Sequence, residues 1–202
     1  MNPAHDAVVR AARRLADRGL SPGSSGNLSV RVGDELVITP TGIGFADVAS
    51  SDLAVAPVEG GAASAGRPSK ELPLHRAVYA RRPDAGAVVH LHAPWSVALS
   101  CLPASYRPWL TPYQVAKVGP LPLVPYALPG SAALADAVAE RAADAACLLL
   151  ANHGSIAAAA SLTAAVDAAE ELEAAARLLL TVRELPYAEL AAPQVEELRT
   201  RL

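Results

Sequence analysis

Apolar residues recur at helical spacing near the start of the chain. Val8, Val9, Ala12, Leu15 and Ala16 share one side of a helix over residues 5–18, and Gly19 supplies its stop. The stretch SPGSSGN, residues 21–27, is a glycine and serine loop. LSVRV and ELVITP then read as strands, and Gly33-Asp34 between them is a hairpin signal. TGIGF makes another tight glycine loop. DLAVAPVEG and the polar residues around Ala65 predict a further strand pair and turn.

Beyond Pro68 the period changes back. SKELPLHRAVYARRP predicts a helix with Ser69 as N-cap and Pro73 in the first turn, where proline is tolerated. AGAVVHLH is a β-branched run and predicts a strand, PWSVALSCL a helix, and PLPLVPYAL an extended segment. AALADAVAERAADA is a helix, CLLLANHG a buried strand, and SLTAAVDAAEELEAAARLLLTVREL a long helix. No repeat or linker interrupts the chain. Strands and helices mix without strict alternation, which predicts one layered α/β domain over residues 1–202.

The bulk numbers narrow the class. A chain of 202 residues can bury a sizeable core. Its residues are 52% apolar but only 4% aromatic, so small side chains do much of the packing. The net charge is −3, and no basic run exists to meet phosphates or lipid head groups; neither a nucleic-acid nor a membrane partner is expected. Cys101 and Cys147 read as free thiols in a reducing compartment. The first helix lacks the pattern of a secretory signal, and no apolar run reaches the ~18 residues of a membrane span. The expected location is the cytoplasm.

Candidate chemistry centres on histidine, of which the chain holds only five. On a strand, residues i and i+2 share a face, so His90 and His92 project side by side with backbones about 7 Å apart. His153 ends another apolar run, where the chain turns at Gly154. Three neutral imidazoles around an open position suit a catalytic divalent metal. Each histidine alone would pass for a polar residue near a strand end. Glu71 has two readings: a carboxylate favoured by the dipole at a helix N-terminus, or a general acid/base beside the metal. Gly26, Asn27, Thr41, Gly42, Ser69 and Lys70 lie in loops whose N–H and hydroxyl donors could cradle an anion. No nucleotide-binding glycine motif is present.

SPGSSGNLSVR, ITPTG, PSKE-L-LH, RPDAGAVVHLH and LLLANHG occur in this order, and together they resemble the class II aldolase/adducin-like family from about residue 8 to residue 184. The resemblance implies a three-layer α/β/α sandwich around a mainly antiparallel central sheet, assembled as a homotetramer with active sites at subunit interfaces. It implies one divalent ion per subunit, zinc before manganese or another ion, on His90, His92 and His153. It implies Glu71 as catalytic acid/base and Tyr113, from a neighbouring subunit, as proton donor. Gly26, Asn27, Thr41, Gly42, Ser69 and Lys70 would bind a substrate phosphate. Lys70 and the segment LTPYQVAKVGPLPLVPY are similar to the 3-oxo-tetronate 4-phosphate decarboxylase branch. That branch implies decarboxylation of a sugar-acid phosphate through a metal-stabilised enediolate to dihydroxyacetone phosphate and CO2. Alternatives are a fuculose-phosphate-type aldolase acting on a ketose 1-phosphate, a specialised biosynthetic enzyme, and a non-catalytic adducin-like binding domain. The chain departs from the family pattern at Trp95, in the short TGIGF loop and in HGSIAAAAS, which bears on the substrate rather than on the metal.

Overall fold

The structure, a computed structural model, describes residues 3–104 and 108–201. Its elements in chain order are α1 (Pro3–Asp17), β1 (Asn27–Val32), β2 (Glu35–Ile38), β3 (Ala54–Pro57), α2 (Leu72–Arg81), β4 (Ala87–Leu91) and α3 (Pro94–Ser100). A π-helical turn, Gln114–Val118, follows. After it come β5 (Leu123–Val124), α4 (Ala132–Ala142), β6 (Cys147–Leu150), β7 (Gly154–Ala159), α5 (Leu162–Val182) and α6 (Ala192–Arg201). The strands form one sheet in the order β3-β2-β1-β4-β7-β6-β5. Every pairing is antiparallel except that of β5 with β6. No helix among the described residues is long and apolar enough to cross a membrane.

Strand alternation sorts the apolar residues into two cores, one on each face of the sheet. Leu28, Val30, Ala87, Val89, Leu91, Cys147 and Leu149 meet α1, α3 and α5 on the first face. Leu36, Ile38, Val88, Leu148, Leu150 and Ile156 meet α2 and α4 on the second. Helices thus cover both faces, and the mainly antiparallel α/β/α sandwich is the architecture the resemblance implies. Each large aliphatic side chain taken fully from water contributes about 1.5–3 kcal/mol. Alanines in α5 (Ala165, Ala168, Ala169, Ala176) let that helix lie close on the first face. Arg14 on α1 binds Asp167 and Glu170 on α5 at 2.9 and 2.8 Å and ties the two helices together at the rim.

Several sequence expectations shift. The helix after Pro68 begins at Leu72, not near Ser69; its N-cap position is Glu71, and Ser69 Oγ instead accepts from the Glu71 N–H at 3.2 Å. The strand pair expected around DLAVAPVEG is a single strand, β3, with an isolated bridge from Val55 to Ala65. Only Leu123 and Val124 of PLPLVPYAL pair in the sheet, because prolines 122 and 125 flank them without N–H groups. Strand β6 stops at Leu150, so His153 sits in a turn rather than at a strand end. GSIAAA, which sequence reasoning gave no element, is the interior strand β7.

Candidate metal centre

Strand β4 lies in the middle of the sheet, between β1 and β7. Its odd positions feed the first core, while Val88 and His90 face α2 and α4. His92 follows the strand by one residue and its ring meets that of His90. His153 comes from the turn between β6 and β7. Asn152 in that turn has φ +56°, a left-handed conformation that asparagine tolerates better than most residues. Gly154 then enters β7 so close to β4 that a Cβ would lie 2.2 Å from the Leu91 carbonyl oxygen. Glycine is therefore required there to bring His153 against the other two rings. Glu71 arrives from the opposite direction, at the head of α2.

The four side chains converge. His90 Nε2 is 3.0 Å from His92 Nε2 and 3.1 Å from Glu71 Oε2. His153 Nε2 is 3.5 Å from Glu71 Oε1. The three rings stand nearly edge to face, with centroids 4.7 to 4.9 Å apart. One ligand atom from each of the four residues lies within 4.8 Å of the rest. Glu71 makes no side-chain cap on its own helix, so of its two readings the geometry favours the one that looks toward the histidines.

Proton positions follow from the partners. His90 Nδ1 lies 2.9 Å from the Ser155 carbonyl, which can only accept, so Nδ1 carries a hydrogen and Nε2 is the nitrogen turned toward His92 and Glu71. Burial lowers His92 and His153 to about 4, which leaves both neutral near pH 7. Burial opposes ionisation of Glu71, but the His90 imidazole and the Asn27 amide outweigh it and hold the carboxyl below its ordinary range. Glu71 Oε1 and both His153 nitrogens are buried without a hydrogen-bond partner. Each such orphan costs about 1–3 kcal/mol. A cation facing three imidazole nitrogens and one carboxylate would satisfy Glu71 Oε1 and His153 Nε2, and this donor set suits zinc or another borderline divalent ion.

Behind the carboxylate lies a layer that sequence reasoning missed. Asn27 Nδ2 donates to Glu71 Oε2 at 3.0 Å, and Asn27 Oδ1 meets His75 Nε2 at 2.5 Å. His75 Nδ1 is 2.8 Å from Ser29 Oγ, which is 3.0 Å from the Tyr79 hydroxyl. Burial lowers His75 to about 3 and keeps it neutral. The signal was present: Asn27 and Ser29 alternate with Leu28 and Val30, and four residues separate His75 from both Glu71 and Tyr79 on or beside one helix. The polar face of β1 passes for a solvent face until α2 is seen to cover it.

The anion-cradle residues are drawn near one another by backbone contacts. Gly44 in the TGIGF loop packs so tightly on the Gly23 carbonyl that a Cβ would stand 2.4 Å from its oxygen. Pro40 bridges to Pro68, and Ser69 N donates to Thr39 O at 3.1 Å. The loops carrying Gly26, Thr41, Gly42, Ser69 and Lys70 are therefore neighbours; Ser69 is buried, Thr41 half-buried, Gly42 and Lys70 exposed. Asn27 differs, since both ends of its amide are engaged with Glu71 and His75. Tyr113 lies at the head of the π-helical turn, 61% exposed, with Lys117 Nζ 5.7 Å from its ring centroid. Trp95 lines a groove of about 760 Å³ between α3, α5 and the end of α1, to which none of the four converging residues belongs.

The family described as Class II Aldolase and Adducin N-terminal domain matches residues 6–180. A curated 3-oxo-tetronate 4-phosphate decarboxylase from Escherichia coli K12 is 41% identical over 199 residues, covering 96% of this chain and 93% of that protein. A 5-methylthioribulose-1-phosphate/5-deoxyribulose-1-phosphate aldolase from Rhodospirillum rubrum is 42% identical over 173 residues, covering 82% of this chain and 75% of that protein. Among solved structures, YgbL from Klebsiella pneumoniae superimposes with a TM-score of 0.92 at 40% identity, covering 97% of each chain.

Proposed function

Because the chain belongs to the class II aldolase and adducin family, we propose that it is a divalent-metal-dependent carbon–carbon lyase that decarboxylates a 3-oxo-tetronate 4-phosphate to dihydroxyacetone phosphate and CO2. The observation that carries the reading is the meeting of three imidazoles with a buried carboxylate whose Oε1 lacks a partner. Likeness to the decarboxylase relatives over nearly the whole chain supports this choice of reaction. In this reading His90, His92 and His153 hold the ion, with zinc first among the candidates for this donor set. When bound, a divalent ion supplies positive charge that draws electrons toward a substrate carbonyl oxygen.

The chain's own groups then have separate tasks. Gly26, Thr41, Gly42, Ser69 and Lys70 orient the phosphorylated end, Lys70 as a point charge and the loops through N–H and hydroxyl donors, whereas Asn27, expected beside them, has its amide engaged with Glu71 and His75. Loss of CO2 breaks the bond from the carboxyl carbon to C2 and leaves the electron pair on C2, shared with the adjacent ketone. A proton delivered to C2 completes dihydroxyacetone phosphate. Glu71 starts ionised, so the proton it gives to carbon is one it first takes up from solvent or a substrate hydroxyl. Tyr113 from a neighbouring subunit is the alternative donor, and its exposure on its own chain supports that assignment. We read residues 1–202 as one domain in a homotetramer in the cytoplasm. The extent of the family match supports the first part and two free thiols support the last.

Incubation with 3-oxo-tetronate 4-phosphates and added zinc or manganese tests the reading. CO2 and dihydroxyacetone phosphate in equal amounts are expected. The Rhodospirillum relative favours a second reading, aldol cleavage of a ketose 1-phosphate; release of an aldehyde with no CO2 would establish it instead. Neither product from a metal-loaded sample would overturn the lyase reading.

A further inference from the structure

We propose that His75 is a positioning residue for Glu71, acting through Asn27, in a buried hydrogen-bond chain whose donors all point from Tyr79 toward the carboxylate. The inference rests on Glu71 being the proton carrier of the proposed reaction, and its consequence is to keep one carboxylate oxygen fixed and the other turned to the histidines.

The direction of the chain follows from its last member. The nitrogen of the Asn27 amide lies 3.0 Å from Glu71 Oε2, and an amide nitrogen can only donate. That turns Asn27 Oδ1 toward His75 Nε2 at 2.5 Å. A carbonyl oxygen cannot donate, so Nε2 carries the hydrogen. A neutral imidazole has one N–H, so Nδ1 is bare and accepts from Ser29 Oγ at 2.8 Å. Ser29 has then used its only hydrogen, so the phenol of Tyr79 points its single hydrogen at Ser29, shared between Oγ at 3.0 Å and the carbonyl oxygen at 3.1 Å.

The position of His75 explains why a buried polar chain is kept in a core. Ser29 and His75 are fully buried and Asn27 and Tyr79 nearly so, so solvent cannot stand in for a missing partner. Without the His75 N–H, nothing decides which end of the Asn27 amide faces Glu71. The flipped amide would set a carbonyl oxygen against Oε2, two acceptors at hydrogen-bond distance. The carboxylate would turn, and Oε1 would lose its aim at His153. The low pKa of His75 agrees with the neutral ring that the geometry requires.

The test begins with the wild-type protein loaded with zinc. Long-range ¹⁵N–¹H correlation of the imidazoles should show His75 as the Nε2–H tautomer; an Nδ1–H ring overturns the proposal. Two variants add a functional arm. His75→Leu should keep the zinc content and a KM within about twofold of wild type while kcat falls roughly 10–100-fold. His75→Gln places an amide N–H where Nε2 stood and should recover kcat to within a few-fold of wild type. Equal losses in the two variants would mean that His75 only packs the core, and full activity in the leucine variant would also overturn the proposal. If the leucine variant fails to fold, the tautomer and the glutamine variant decide. Wild-type protein with no lyase activity would defeat the proposed function and leave the tautomer result to decide the direction of the chain.

Discussion

His92 and Glu71 face the same point, and in the proposed reaction they have different tasks there. His92→Ala removes one of three nitrogens, and two imidazoles hold zinc poorly. Zinc measured per chain in the purified variant should drop from about one to a small fraction, with activity lost alongside; retention of both would remove His92 from the ligand set. Glu71→Gln keeps shape and removes proton exchange. It should leave the zinc in place and lower kcat by about 10²–10⁴-fold, the size of a general acid/base contribution. Loss of the ion as well, seen in the same metal analysis, would make Glu71 a ligand first. At this scale part of the site was legible. His90 and His92 declared themselves through the period of two in a strand, and Asn27 and Glu71 through their motifs. His75 and Ser29 did not, because a polar residue opposite a helix looks the same in sequence as one opposite water. The link from Asn27 to Glu71 spans 44 residues, and no local pattern encodes it.

Elements carry the positioning. Strand β7 was invisible in sequence because GSIAAA has one β-branched residue and a run of alanines; its strand state comes from pairing on both sides with β4 and β6. That pairing leaves no room at Gly154, so Gly154→Ala must separate the turn from β4. The expected loss is about 1–3 kcal/mol in urea unfolding, together with weaker zinc binding, since His153 is the adjacent residue. Unchanged stability would show that β4 and β7 can spread freely. The short helix α3 depends on a distant carboxylate: Glu173 on α5 accepts from the N–H groups of Trp95 and Ser96, both at 2.8 Å. Glu173→Ala leaves those donors unmet and should cost about 1–3 kcal/mol in thermal or urea unfolding. A neutral outcome would mean that water replaces the cap. Sequence reasoning read PWSVALSCL as a helix but could not find its cap, which lies 77 residues further along the chain.

For the molecule as a whole, the buried histidine behind the site ties stability to pH. The folded value of His75, about 3, lies below the ordinary 6.5, so the unfolded chain takes up the proton first. Its contribution is complete above pH 6.5 and is lost as pH falls from there toward 3. The loss has an upper bound on the order of 5 kcal/mol. Glu71, held below its ordinary value, pulls in the same direction at lower pH. Urea unfolding of metal-free protein between pH 7 and pH 4 should therefore show steadily falling stability; a flat profile would mean that His75 is solvated in the fold. The three-layer plan was legible through the family resemblance, whereas the order of strands was not, since β1 pairs with β4 across 60 residues at Leu28 and Val89 and only tertiary packing selects that register. The ends of this sheet have a consequence of their own. On one flank, residues 64 and 65 fold back and already occupy the hydrogen-bonding groups of Val55, and β3 finishes at Pro57; on the other flank, β5 is two residues long with prolines 122 and 125 on either side. Neither margin offers a run of free amides to a strand from another copy. Any association between copies of this chain would therefore run through helices and loops, and the same blunt margins guard a chain rich in alanine and valine against fibrous stacking.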